Sequence, residues 1–310
     1  MRVVFMGTPD FAVNTLKAIQ KAGHEIVGVV TQPDKPKGRG KALQFPPVKE
    51  TALEYGLTVY QPERVKEESF VATLRELKPD VIVVVAFGQI LSKAILELPR
   101  YGCVNVHASL LPKYRGAAPI QWAVINGEKE TGVTTMQMDE GVDTGDIFKS
   151  VVLPLDEKET GGSLFDKLAE AGAQLLVETL KDIENGTATR TPQKHEDSTY
   201  VKMFDKKFGL IDFTKPAVEI ECLIRGLNPW PSAFTGYKGK TLKIWDADVV
   251  AGEAKGEPGQ VVSVSKQELL VQTGDGFLSQ KEVQLERKKR MEIDAFLRGN
   301  AVEEGIKLEK

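Results

Sequence analysis

The sequence predicts an α/β chain: an N-terminal domain on a parallel sheet, then a smaller β domain. Three observations carry this. Apolar runs such as "RVVFMG", "EIVGVVT" and "PDVIVVVAF" alternate with stretches of helical period as far as Gly186. Continuous apolar strands separated by helices are the pattern of a parallel sheet buried on both faces. Character then changes, and beyond Asn228 glycine or proline punctuates short β-like runs at the spacing of a small barrel or sandwich. A length of 310 residues fits two domains.

Taken in order, "RVVFMG" is a strand, and Pro9 and Asp10 form the turn after it. Phe11, Val13, Leu16 and Ile19 follow at helical intervals, and Gly23 ends that helix. "EIVGVVT" is the second strand. A polar helix is expected around residues 62–77, before the Val-rich strand Pro79 to Phe87. "GCVNVHAS" and "TGVTTMQM" are two more strands. "GGSLFDKLAEAGAQLLVETLKDIENG" is a helix with Leu164, Leu168, Leu175 and Leu176 on its inner face, stopped by Gly186. "TATRTPQKHEDSTYVKMFDKKFG" has few apolar residues and no period, so it reads as a linker. "AVEIECLIRGL" is a helix. "FTGYKG", "TLKIWDADVV", "GQVVSV", "ELLVQTG" and "FLSQKEVQLE" are strands, and "DAFLRG" is a last short helix. The domains are expected at 1–189 and 208–310, with a linker over 190–207.

Composition excludes several classes. Hydrophobic residues make up 41% and charged residues 27%, ordinary for a globular protein that buries a core in each domain. No apolar run is long enough for a membrane span, and "MRVVFMGTPD" becomes polar too soon for a signal peptide. Two distant cysteines, Cys103 and Cys222, suggest a reducing compartment, hence a cytoplasmic protein, and both read as buried small hydrophobes. With three histidines and no CxxC or HExxH, no metal is expected. Net charge is only -3, which argues against blanket binding of nucleic acid. Basic residues nevertheless cluster locally: Lys35, Lys37, Arg39 and Lys41; Lys206 and Lys207; and Arg287, Lys288, Lys289 and Arg290. Trp230 and Trp245 have apolar neighbours and read as core rather than stacking groups. His24 and His195 carry no partner pattern.

Some familiar motifs fail. After the first strand only Gly7 is present, so a G-x-G-x-x-G dinucleotide fingerprint is missing. "GKT" at Gly239 to Thr241 lacks its partner glycine, because position 234 is Phe234. No G-x-S-x-G elbow exists.

One constellation succeeds. Asn105 and His107 are two apart on a strand, so both side chains project from one face. Asp143 arrives in the loop "DEGVDTGD". Loops gather at the carboxyl ends of a parallel sheet, so the three are expected to converge there. A carboxamide can donate to the oxyanion formed when an amine attacks a carbonyl. A carboxylate neighbour favours the protonated form of an imidazole, which then stabilises the anion or delivers a proton. The carboxylate can orient the ring and help remove the amine proton. No serine or cysteine is placed as a nucleophile, so direct acyl or formyl transfer is preferred over a covalent intermediate. A lone histidine is ordinarily structural; the ordered set, with "SLLPKYRG" between its members, favours chemistry.

The segment "NVHASLLPKYRGAAPIQWAVINGEKETGVTTMQMDEGVDTGDI" resembles the signature of the 10-formyltetrahydrofolate-dependent formyltransferases. "MRVVFMGTPDFAV", "VVTQPDKPKGRGKALQFPPVK" and "GLNPWPSAFT" extend the resemblance over essentially the whole chain, most closely to the branch whose acceptor is a charged initiator tRNA. The resemblance implies a Rossmann-like N-terminal domain, a linker and a C-terminal β-barrel like an OB-fold. It implies the catalytic trio Asn105, His107 and Asp143. It implies 10-formyltetrahydrofolate as formyl-donor substrate, bound by Ser109, Leu110, Leu111 and Pro112 and, mainly through backbone, near Phe87, Gly88 and Leu91. The acceptor implied is the amino group of a methionyl initiator tRNA, used for translation initiation by a monomer. It also places a tRNA-contacting loop at "DKPKGRGK", with Arg39 as its key residue; glycine, proline and lysine there favour no helix or strand. Lys41, Lys206, Lys207 and Arg287 to Arg290 are then phosphate contacts. Two rivals remain: the same chemistry on a small amine, which needs neither basic loop nor barrel, and a non-enzymatic RNA-binding module, which needs no trio.

Overall fold

The computed structural model describes residues 1–37 and 42–308. In chain order its elements begin with β1 (Arg2–Gly7), α1 (Asp10–Lys21), β2 (Glu25–Val30), β3 (Lys35–Lys37), β4 (Ala42–Gln44), α2 (Pro47–Glu54), β5 (Val59–Tyr60), α3 (Glu68–Leu77) and β6 (Val81–Val85). Next come α4 (Lys93–Leu96), β7 (Cys103–His107), β8 (Arg115–Gly116), α5 (Pro119–Ile125), β9 (Glu130–Gln137), β10 (Ile147–Pro154), α6 (Gly161–Asn185) and β11 (Tyr200–Val201). The remainder comprises α7 (Ala217–Gly226), β12 (Ala233–Tyr237), β13 (Lys240–Val250), β14 (Val261–Val264), β15 (Leu269–Gln272), β16 (Phe277–Leu285), β17 (Met291–Glu292) and α8 (Ile293–Gly299).

Two compact units result, and they do not follow one cut in the chain. The first comprises residues 1–116, 130–154 and 165–201; the second comprises 117–129, 155–164 and 202–310. The segment 190–207 is thus divided, its first part packing with the first unit.

The first unit is built on a seven-stranded sheet of order β10-β9-β7-β6-β1-β2-β5. The pairs β1/β2, β1/β6, β6/β7 and β2/β5 are parallel, giving the Rossmann-like core. Burial explains the apolar runs: every residue of β6 is buried, and so are Val3 to Met6 of β1. On one face Val4, Met6, Ile82 and Val84 share a core with Phe70, Leu74 and Ile95. Each such side chain stabilises the fold by about 1.5–3 kcal/mol.

The other edge was only partly legible. β9 pairs antiparallel with β7, and β10 antiparallel with β9. β10 carries no strand signal in its residue pattern, because its side chains alternate between partly buried and exposed positions and the polar Lys149 and Ser150 break the run. It is an edge strand, where a lysine such as Lys149 opposes further pairing. The basic stretch after β2 also departs from expectation: β3 and β4 pair as a short antiparallel hairpin. Backbone pairing of two three-residue arms requires no apolar face. Residues 38–41, and with them the expected contacts Arg39 and Lys41, lie outside the described residues.

α6 packs on the sheet through Gly172, where a Cβ would come 2.9 Å from a Val106 methyl. Farther along, the Thr179 and Thr135 hydroxyls bond at 2.8 Å. Val106 and Thr135 therefore face α6, and alternation turns Asn105, His107, Thr134 and Met136 to the opposite face.

The second unit carries the smaller OB-like β domain expected at the C-terminal end. Its antiparallel sheet runs β12-β13-β16-β15-β14, with β17 on β16. Ile220 and Ile224 of α7 and Phe296 of α8 share its core with Leu242, Ile244 and Leu278. The reading of Trp230 as core is corrected: it lies between Pro229 and Pro231 and is 52% exposed. Trp245 is half-buried, with Arg290 4.7 Å over its ring and Lys243 at 5.4 Å on the same ring.

Both cysteines are buried, as expected. Burial pushes the Cys103 thiol up to about 12. Native protein at pH 8 should therefore leave Cys103 unlabelled by a disulfide reagent until it unfolds; prompt labelling, read by peptide mass, would contradict its burial. A packing test lies in β9. A Cβ on Gly132 would collide with the Val151 carbonyl oxygen on β10 and reach 2.6 Å from Leu110 Cδ2. Gly132→Ala should lose about 1–3 kcal/mol, measured as a lower urea midpoint at unchanged slope.

Candidate active site

β7 fixes Asn105 and His107 on the face turned away from α6, at 8% and 7% exposure. His107 is oriented by the backbone: its Nε2 lies 2.9 Å from the Tyr114 carbonyl oxygen. A carbonyl only accepts, so Nε2 carries a hydrogen and the Nδ1 edge faces elsewhere. Nδ1 is 3.6 Å from Asp143 Oδ2. The Asn105 carboxamide makes no hydrogen bond among the described residues, so its donors are available to a ligand.

Asp143 meets His107 as the sequence suggested, but by another route. A loop at the carboxyl ends of parallel strands was expected. β9 instead runs against β7, with Gln137 beside Val104, so its carboxyl end lies at the start of β7. The loop after Gln137 folds back toward the His107 end. Three bonds hold it there. The Gly116 N–H donates to Asp143 Oδ2 at 2.8 Å. Gln193 Nε2 donates to the Asp143 carbonyl at 2.9 Å and to the Gly145 carbonyl at 2.7 Å. Asp143 itself sits at φ 54°, a left-handed conformation that aspartate tolerates better than most residues.

Behind Gln193 stands Arg115, a guanidinium only 1% exposed. Its Nε and Nη2 donate to Gln193 Oε1 at 3.1 and 2.7 Å, and Nη1 donates to Tyr200 Oη at 3.0 Å. His195 Nδ1 is 3.3 Å from Nη1. In the sequence Arg115 stands in "SLLPKYRG" with no role of its own, and Gln193, His195 and Tyr200 fall in the segment read as a linker. No local pattern marks such residues, because their partners are remote in sequence.

The segment expected to bind folate is pinned to β9. Ser109 is fully buried, and its Oγ donates to the Lys113 carbonyl at 2.7 Å. The Thr134 hydroxyl donates to the Ser109 carbonyl at 2.7 Å and accepts from the Leu111 N–H at 3.2 Å. With its hydroxyl so engaged, Ser109 is no nucleophile. Leu110 is partly exposed, Leu111 is buried and Pro112 is partly exposed. Phe87 and Leu91 are buried in the core, which leaves main chain as what they can offer. The Phe87 carbonyl already accepts from Thr8 Oγ1 at 3.3 Å and Gln32 Nε2 at 3.1 Å. Gly88 makes the turn at φ 83°.

The expected tRNA contacts fall mostly on exposed positions. Lys206 and Lys207 are exposed on a one-turn 3-10 helix, Lys206–Gly209. Arg287, Lys288 and Lys289 are exposed, and Arg290 is bound by both of its forks to Glu282. Arg290 is thus committed to Glu282 and the Trp245 ring. Among the described residues no cluster of His, Cys, Asp and Glu could hold a metal.

A carboxamide and an imidazole on one sheet face, with a carboxylate brought to them by a loop, can stabilise an oxyanion and move a proton. Comparison with known proteins gives the same direction. The family model described as formyl transferase matches residues 1–180, and that of the formyl transferase C-terminal domain matches 203–301. A protein of Agathobacter rectalis named methionyl-tRNA formyltransferase is 63% identical, covering 98% of each chain. One of the same name from Lachnospira eligens is 62% identical, covering 99% of each. The fold of a solved sugar 3N-formyl transferase, WlaRD, superposes with TM-score 0.69 at 22% identity over 93% of this chain and 99% of that one. With both domain models and full-length relatives in agreement with the geometry, the chain belongs to the formyl transferase family.

Proposed function

We infer that this chain transfers the formyl group of 10-formyltetrahydrofolate to the amino group of the methionyl moiety of initiator methionyl-tRNA, the step that prepares the tRNA for translation initiation. The observation that carries the chemistry is the unbonded Asn105 carboxamide beside the His107–Asp143 pair. The full-length relatives carry the choice of acceptor.

In this reading the amine nitrogen attacks the formyl carbon, and the carbonyl electrons move to oxygen. Asn105 Nδ2 donates to that oxyanion. The gap of 3.6 Å between His107 Nδ1 and Asp143 Oδ2 leaves both atoms short of a direct bond. Both can therefore serve the reacting groups: Asp143 receives the proton released by the amine, and His107 Nδ1, which faces that carboxylate, passes this proton on to the folate nitrogen as its bond to carbon breaks. Ser109, Leu110, Leu111 and Pro112 line the donor. Phe87, Gly88 and Leu91 flank the pterin through backbone.

Functionally we assign residues 1–189 to folate binding and catalysis, 190–207 to a linker, and 208–310 to tRNA binding, in a monomeric cytoplasmic enzyme. Phosphates are the expected partners of Arg39, Lys41, Lys206, Lys207, Arg287, Lys288, Lys289 and Arg290. The exposure of Lys206, Lys207 and Arg287 to Lys289 supports their part, whereas the Glu282 pairing of Arg290 argues for a smaller one.

The deciding assay incubates the protein with 10-formyltetrahydrofolate and either methionyl-tRNA, uncharged tRNA or an amino-sugar nucleotide. Formyl transfer is expected only with methionyl-tRNA, and preferential use of the sugar would overturn the acceptor. His107→Ala and Asp143→Asn should each reduce turnover on the order of 10²–10⁴-fold with folate binding retained. Near-normal turnover of the His107 variant at saturating substrates would remove its role. Arg39→Leu should lower kcat/KM for methionyl-tRNA at least about tenfold, with Arg39→Lys recovering part. Thermal stability and folate affinity should stay unchanged. Parallel loss of the slow tRNA-independent hydrolysis of the donor would place Arg39 at the folate instead.

A further inference from the structure

We propose that Arg115 and Gln193 are a positioning pair that sets the Asp143 carboxylate for proton transfer, a role that rests on Asp143 acting as inferred above. Four features converge. The Gln193 amide spends two donors on the backbone of one loop, at Asp143 and Gly145. Its orientation is unambiguous, because Oε1 faces two guanidinium donors and so Nε2 must face the two carbonyls. Arg115 is wholly buried, yet among the described residues its guanidinium meets the Gln193 amide oxygen, a His195 ring nitrogen and the Tyr200 hydroxyl, and no carboxylate. A buried charge held without a carboxylate is costly, so a purely structural site would be served as well by apolar packing. Finally, the residues flanking Arg115 hold the reactive groups directly: the Tyr114 carbonyl takes His107 Nε2, and the Gly116 N–H takes Asp143 Oδ2. Backbone and side chain of this one tripeptide thus fix Asp143 at both its carboxylate and its carbonyl.

The positioning role predicts coupling rather than simple loss. Gln193→Glu is nearly isosteric and can still accept from Arg115, but its carboxylate cannot donate to two carbonyls. It should lower kcat roughly 10- to 100-fold, the cost of slight misplacement, with KM for 10-formyltetrahydrofolate within about twofold of wild type. The same substitution made in an Asp143→Asn background should change kcat less than about twofold, because the group being positioned is gone. Arg115→Lys, which keeps the buried charge but loses the two-pronged grip, supplies a second cycle with the same expected pattern if Gln193→Glu folds poorly. An equal loss in both backgrounds, or no loss in the wild-type background, overturns the proposal. Near-normal turnover by Asp143→Asn alone removes the role of Asp143 itself, and that result is separate from any effect at Gln193.

Discussion

The hydrogen bond from the Gly116 N–H to the Asp143 carboxylate is the constraint on which the site's geometry depends. It comes from a main-chain donor, so no side-chain rotamer has to be frozen to supply it. Its position is set by β8, whose residues pair in parallel with Tyr200 and Val201. Gly116 stands at φ 95°, and a Cβ there would lie 2.5 Å from the Val201 carbonyl oxygen. Only glycine allows that approach. Two residues earlier, the Tyr114 carbonyl locks the imidazole. Backbone groups of a three-residue stretch thereby set the relative placement of the His107 imidazole and the Asp143 carboxylate.

That stretch acts on a sheet face prepared by alternation. Val106 and Thr135 bury against α6, and this leaves Asn105, His107 and Thr134 on the other side. Packing and chemistry are two faces of the same strands. The antiparallel turn at the sheet's edge adds something a fully parallel sheet would not. By reversing β9 it brings the following loop in from the far end of β7, so Asp143 reaches His107 across the face. The loop must then be held by its own carbonyls, which is where Gln193 enters.

The second unit shows a different economy of charge. Cations such as Lys158 and Arg225 are tied to acids, Lys158 to Asp248 at 2.7 Å and Arg225 to Glu221 at 2.7 Å. Lys206, Lys207, Lys288 and Lys289 are exposed instead. A near-neutral chain can therefore present local positive charge to a polyanion without an overall basic field. The exposed Trp230 has no counterpart in the composition, which counts tryptophans but says nothing of where they point.

The sequence by itself determined the βα alternation, the buried strands β1, β2, β6 and β7, the long helix α6 with its stop at Gly186, and the change of character toward the C-terminal unit. These rest on local periodicity and apolar runs, which burial on both sheet faces imposes directly. It also determined that Asn105 and His107 share a face, because a period of two is a local property of a strand. Tertiary structure alone decided the rest. Strand direction at the sheet edge, the half-exposed strand β10, the backbone bonds from Tyr114 and Gly116, and the reach of Arg115 through Gln193 to Asp143 all join separate elements, across 7 residues from His107 to Tyr114, 27 from Gly116 to Asp143 and 78 from Arg115 to Gln193. Such contacts are made by the path of the chain in space, and no local pattern of residue types records them.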